Sequence, residues 1–239
     1  MSIAQNLQNI KASLPQSVTL VAVSKTKPVA DLMEAYDAGQ RIFGENKIQE
    51  MVEKWEQMPK DIEWHMIGHV QTNKVKYMAP FVSLIHGVDS LKLLKEINKQ
   101  AAKNSRVINC LLQIHIAEEE TKFGLDETEL NSLLSSSEFR EMKNIQILGL
   151  MGMATFTDNE NQVKKEFLHL KSIFDKLLKS KEALQYLSTE ENLSTDPNIN
   201  TTNCKLNTIS MGMSGDYQLA IECGSTMVRI GSSIFGGRK

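Results

Sequence analysis

Short apolar runs rich in β-branched residues recur along the chain at 20–25, 41–44, 63–69, 84–89, 109–116, 145–153, 207–214 and 227–231. Between them, apolar residues fall at helical spacing in segments 29–38, 47–58, 73–81, 90–103, 126–139, 161–187 and 216–223. Ile3, Leu7, Ile10 and Leu14 form a further helical stripe ahead of the first run. Strands that are apolar almost continuously need cover on both faces, which a parallel sheet roofed by helices provides. Eight such units predict an α/β fold, a single (β/α)8 TIM barrel over residues 1–239. An open doubly wound sheet is the alternative, but no GxGxxG follows the first run and no Walker loop is present. Residues 188–203 (STEENLSTDPNINTTN) break the alternation and are expected to be a polar surface insertion without function.

Composition narrows the partners. With 27 basic and 29 acidic residues and no basic block interleaved with aromatics, nucleic acid is not expected as a partner, and a small ligand is favoured. Cys110, Cys204 and Cys223 are odd in number, widely spaced and without a CxxC pair, so they read as reduced thiols of a cytoplasmic protein. The polar residues within 1–14 exclude a signal peptide there, and no stretch has the apolar length of a membrane span.

In a barrel of this kind chemistry sits at the C-terminal ends of the strands. The loops there read Ser24-Lys25-Thr26-Lys27, Gly44-Glu45-Asn46, His69 to Asn73, Glu119 to Lys122, Gly212 to Gly215 and Gly231 to Gly237. Lys25 ends the first apolar run, where partial burial and the neighbouring cation Lys27 favour a neutral, nucleophilic amine. A lysine that simply carries charge into solvent is the plainer reading. Arg229 lies two positions before Gly231, so an alternating strand aims both into the barrel mouth. Its structural alternative is an ion pair with a barrel carboxylate such as Glu45. Gly231 and Ser232, with Ser214 from the seventh loop, offer backbone and hydroxyl donors to a phosphate, against the plainer reading of a glycine-rich turn that closes the barrel. His65 and His69 lie about 13 Å apart along a strand, too far to share a metal, and His86 and His115 are expected to be structural. Met151, Met153 and Met211 are expected to pack the barrel, and Met213 to pack or to touch a flat ligand. Amine, guanidinium and phosphate cradle together describe a site for pyridoxal 5′-phosphate.

The stretches LVAVSKTKP, FGEN, WHMIGHVQTNKVK, LLQIHIAEEETKFGL, LGLMGM and ISMGMSGDYQLAIECGSTMVRIGSSIFGGR span nearly the whole chain. In them the sequence resembles the pyridoxal-phosphate homeostasis protein family (YggS/PROSC), whose barrel is similar to the N-terminal domain of alanine racemase. The resemblance implies a fold-type III barrel holding pyridoxal 5′-phosphate as an internal aldimine on Lys25. It places Arg229 at the pyridine nitrogen, Ser214, Gly231 and Ser232 at the phosphate, and Asn46 beside the lysine. Members often read MTMAP where this chain has Met151-Gly152-Met153-Ala154-Thr155, and the 188–203 insertion is longer than usual.

The implied role is storage, protection or delivery of the cofactor, with apo enzymes as recipients and a monomer as the working form. The alternative is a pyridoxal-phosphate-dependent amino-acid racemase. Racemisation normally needs an acid/base group on each face of the substrate, and only Lys25 is evident. The resemblance to alanine racemases puts a tyrosine and a C-terminal β domain in the second role. Tyr217, after the seventh loop, is the candidate left open, and the sequence ends three residues past Gly236, so the β domain is expected to be absent. An aldolase-type barrel acting on a phosphosugar would share the lysine and the cradle.

Overall fold

A computed structural model describes residues 2–119, 123–179 and 206–237. The expected insertion at 188–203, the part of the expected 161–187 helix beyond 179, Cys204 and Tyr186 lie outside the described residues. Helix α1 (Ile3–Ser13) starts at Ser2, whose hydroxyl accepts from the Gln5 amide, and buries Leu7. There follow β1 (Thr19–Val23), α2 (Val29–Asp37), β2 (Ile42–Glu45), α3 (Ile48–Gln57), β3 (Glu63–Met66), α4 (Val75–Met78), β4 (Leu84–Val88) and α5 (Leu91–Lys103). The second half adds β5 (Ile108–Gln113), α6 (Glu127–Ser135), α7 (Ser137–Arg140), β6 (Ile145–Met151) and α8 (Glu160–Lys179). It closes with β7 (Thr208–Ser210), α9 (Tyr217–Glu222), β8 (Met227–Ile230) and α10 (Ser232–Phe235).

All eight strands are parallel and pair in chain order, and β8 returns to β1 with Val21 opposite Arg229. The expected closed (β/α)8 barrel is therefore the observed one. Closure leaves no edge strand. It also divides the core in two, because successive side chains leave a strand on opposite faces. Leu20, Ala22, Phe43, Trp64 and Met66 join the large core under the helices. Val21, Val23, Ile67, Leu84, Leu111, Met151 and Met227 form a separate small cluster inside the barrel. Full burial of each such side chain is worth about 1.5–3 kcal/mol.

Several elements are shorter than the apolar pattern predicts. The first strand stops at Val23, because Thr26 turns the chain through a left-handed conformation (φ 63°) and leaves Lys25 on the loop. The seventh stops at Ser210, since Gly212 has φ 94°, and a Cβ there would lie 2.6 Å from the Ala220 Cβ. The single helix expected over 126–139 is two, broken at Ser136, whose hydroxyl caps α7 by accepting from the Phe139 amide. The helix expected over 73–81 is a 3-10 turn (Thr72–Lys74) followed by α4. No described helix is long and apolar enough to cross a membrane.

Candidate functional site

The loops at the C-terminal ends of the strands enclose a cavity of about 740 Å³. Lys25, Asn46, Ser214, Arg229, Gly231 and Ser232, the six residues singled out in the sequence, all line it. Lys25 is half-buried, carried out of β1 by the turn at Thr26. The Lys27 ammonium donates to the carbonyls of Phe235 (2.9 Å) and Gly237 (3.1 Å), so its cation serves the last turn of the chain. Asn46 stands beside Gly68 of the next loop, where a Cβ would sit 2.6 Å from the Asn46 carbonyl oxygen; glycine permits that approach.

Beside the loop of Lys25, after β8, which pairs with β1, the start of α10 presents backbone donors. The amides of Gly231 and Ser233 both point at Ser214 Oγ, at 3.2 and 3.5 Å. The Ser214 oxygen thus accepts from two amides at the cavity wall and keeps its own O–H to donate; backbone N–H groups and a hydroxyl gathered in this way are the chemistry that suits a phosphate. Asp216 holds the loop that carries Ser214 by accepting from the Met213 amide (2.6 Å). Burial raises the Asp216 pKa, against the opposing pull of that bond and of Arg229.

Arg229 is buried and lines the cavity, as the alternation along β8 predicts. Glu45 is not its partner. Arg229 donates to Ser210 Oγ (2.7 Å) and to the Gly152 carbonyl (3.1 Å), while Glu45 is held by Lys54 and Ser24. Behind Ser210 the chain of contacts continues to His86 Nδ1 (3.0 Å), and His86 Nε2 meets His65 Nδ1 (3.1 Å). Burial pushes the His65 pKa down to about 3 and that of His86 well below its ordinary value, so both rings are neutral, and one nitrogen of each pair donates while the other accepts. Burial also brings Arg229 down to about 10, partly offset by Asp216; the guanidinium stays charged at neutral pH. A cation here costs less because it is hydrogen-bonded on its barrel side.

The side of the cavity facing β5 and β6 was not legible in the sequence. Gln113 Nε2 donates to the Phe123 carbonyl (2.8 Å), and the Phe123 ring stacks on His69, whose Nδ1 lies 3.2 Å from Asp89. Thr155, Phe156 and Asp158 continue this wall. The only available signal was their position after strand ends, shared with many bland loop residues. Met153 and Met213 line the cavity, whereas Met151 and Met211 are buried packing residues. Tyr217, the tyrosine left open, turns its hydroxyl to Ser13 Oγ of α1 (3.1 Å) and does not line the cavity. The Tyr36 hydroxyl bonds to Asp61, and Tyr77 is exposed on the surface. Among the described residues no three His, Cys, Asp or Glu side chains gather to hold a metal.

Fold and site together define a lysine-bearing barrel of the alanine racemase N-terminal type, and the profile of the alanine racemase N-terminal domain matches residues 1–191. Alanine racemase of Clostridium difficile 630, solved in complex with cycloserine, shares the fold at TM-score 0.73 and 15% identity, covering 99% of this chain and 60% of that one. Nearer relatives are found among smaller proteins. The pyridoxal phosphate homeostasis protein of Pasteurella multocida (strain Pm70) is 37% identical over 100% of this chain and 98% of its own. PipY of Synechococcus elongatus PCC7942, solved with PLP bound, superposes at TM-score 0.82 with 31% identity, covering 98% of this chain and 100% of that chain. The chain belongs to the pyridoxal phosphate homeostasis protein family.

Proposed function

We propose that this protein binds pyridoxal 5′-phosphate through the cavity and serves its homeostasis in the cell, holding the cofactor and releasing it to apo enzymes. The observation that carries the reading is the meeting, around one cavity, of the Lys25 amine, the buried Arg229 guanidinium and the donors of Gly231 and Ser214. These residues suit the three polar parts of the cofactor. What pyridoxal phosphate brings is an electrophilic aldehyde carbon. Lys25 in its neutral form would be the amine held against that carbon. Arg229 keeps further N–H groups for the pyridine nitrogen. Because Arg229 stays charged, it would donate a hydrogen bond to that nitrogen and supply it no proton, a partner that suits holding the group over carbanion chemistry. Ser214, Ser232 and the Gly231 amide would bind the phosphate, with Asn46 on the wall that Lys25 also lines.

The carrier reading is favoured over a racemase by the Tyr217 hydroxyl, which is turned to Ser13 of α1 and away from the cavity. The working unit is the single barrel of residues 1–239, cytoplasmic and monomeric. Two measurements test the assignment. Protein mixed with pyridoxal phosphate gains a visible absorption band, and borohydride fixes the label on Lys25; a colourless mixture overturns the cofactor assignment and restores the phosphosugar reading. Loaded protein then hands cofactor to an apo enzyme without exchanging the α-proton of amino acids in D2O, whereas exchange at an enzyme-like rate establishes the racemase.

A further inference from the structure

We propose that Lys54 and Glu50, on α3 outside the cavity wall, are positioning residues that set the direction of the Lys25 amine. The inference rests on the reading of Lys25 as the amine that bonds the aldehyde.

The two side chains lie one helical turn apart on the same face and are joined to each other at 2.7 Å. Lys54 Nζ also donates to the Ser24 carbonyl (2.8 Å), and Glu50 Oε1 accepts from the Thr26 amide (2.6 Å). The Ser24 carbonyl belongs to the peptide bond before Lys25, and the Thr26 amide to the one after it. The helix thus grips both peptide planes that flank the lysine. Thr26 sits at φ 63°, a left-handed conformation costing a β-branched residue about 1–2 kcal/mol, and the Glu50 carboxylate holds its N–H there.

A third contact anchors the pair to the barrel. Lys54 Nζ meets Glu45 Oε1 at 2.6 Å, and the same oxygen accepts from Ser24 Oγ at 2.6 Å. An ammonium has three protons, and the Lys54 ammonium faces three oxygens, from Ser24, Glu45 and Glu50. A buried lysine so placed has little freedom, and its rigidity passes to the backbone at Ser24 to Thr26. Buried ion pairs are poor stabilisers relative to apolar packing of the same volume. The arrangement gains its purpose from the residue it orients, because a misplacement of about 1 Å at a reacting group can cost a hundredfold in rate.

The test uses salicylaldehyde, which has an aldehyde but no phosphate, with cyanoborohydride as the hydride donor. Trapping at Lys25 is followed by mass spectrometry, with the other lysines as internal references. In Lys54→Met the plateau rate at high pH falls roughly tenfold or more while the pH midpoint stays in place, and Lys54→Arg restores part of the rate. Glu50→Ala, at a half-exposed position, gives a smaller fall and decides the matter if Lys54→Met does not fold. A wild-type plateau in folded variants overturns the proposal, as does a shifted midpoint with an unchanged plateau, which would make Lys54 an electrostatic neighbour only. Failure of wild-type protein to take up pyridoxal phosphate, with Lys54-dependent trapping intact, sinks the cofactor reading and leaves this one standing.

Discussion

Lys25 and Arg229 both line the cavity, and the proposed function gives the first the reacting amine and the second a supporting role. Lys25→Ala removes the nucleophile while leaving the donors at Ser214 and Gly231 in place. The variant is expected to lose the visible band with pyridoxal phosphate and still retain the cofactor more weakly; equilibrium dialysis beside the absorbance spectrum checks both. Arg229→Met strands the Gly152 carbonyl without its Arg229 donor and leaves Ser210 Oγ with His86 Nδ1 alone. Leaving such a buried group unpaired costs about 1–3 kcal/mol, read as a lower urea midpoint in the cofactor-free protein. Both residues were legible in the sequence, one from its place at a strand end and one from alternation along the eighth strand. The partner of Glu45 was not, because spacing says where a carboxylate points but not which distant cation meets it. Lys54 lies mid-helix among charged neighbours and gives no sign that it is 5% exposed and turned toward the barrel.

Among the elements, α8 does more than cover the sheet. Its buried Glu166 accepts from the Glu118 amide (2.9 Å), the Thr155 amide (2.7 Å) and the Thr155 hydroxyl (2.7 Å). One carboxylate therefore ties the loops after β5 and β6, which form the far wall of the cavity. Burial alone would raise its pKa, but those bonds outweigh burial and hold it below the ordinary value of 4.5. A lowered carboxylate contributes stability that is complete above its unfolded value and is lost as pH falls through the folded one. Glu166→Gln is thus expected to lose stability at neutral pH, about 1–3 kcal/mol for the charged bonds weakened. The gap from wild type should close below pH 4.5; urea titrations at several pH values measure it, and a gap constant with pH refutes the account. Element existence was clear from periodicity, whereas boundaries followed local chemistry that periodicity does not carry. The Ser136 cap splits a helix, and Gly212 ends a strand early.

For the whole molecule, cofactor binding and folding are linked. A ligand bound only by the native barrel, at a hundred times its dissociation constant, stabilises it by about 2.7 kcal/mol. Pyridoxal phosphate is therefore expected to raise the melting temperature with no change in molecular mass by sedimentation; a mass that doubles on loading overturns the monomer. The amino-acid sequence by itself determined the alternation of eight apolar runs with helices, and hence a parallel sheet covered on both faces; the count of eight units pointed to a barrel over an open doubly wound sheet, and strand pairing in the structure closes it. It also determined the lysine, arginine and glycine-serine turn at the strand ends. Only the tertiary structure decided what closes around them. The far wall of Gln113, Phe123 and Thr155, the Arg229–Ser210–His86–His65 chain and the bonds of Lys54 and Glu50 to the backbone of Ser24 and Thr26 join residues distant in sequence. Such contacts are set by strand register and helix packing, and no local pattern encodes them.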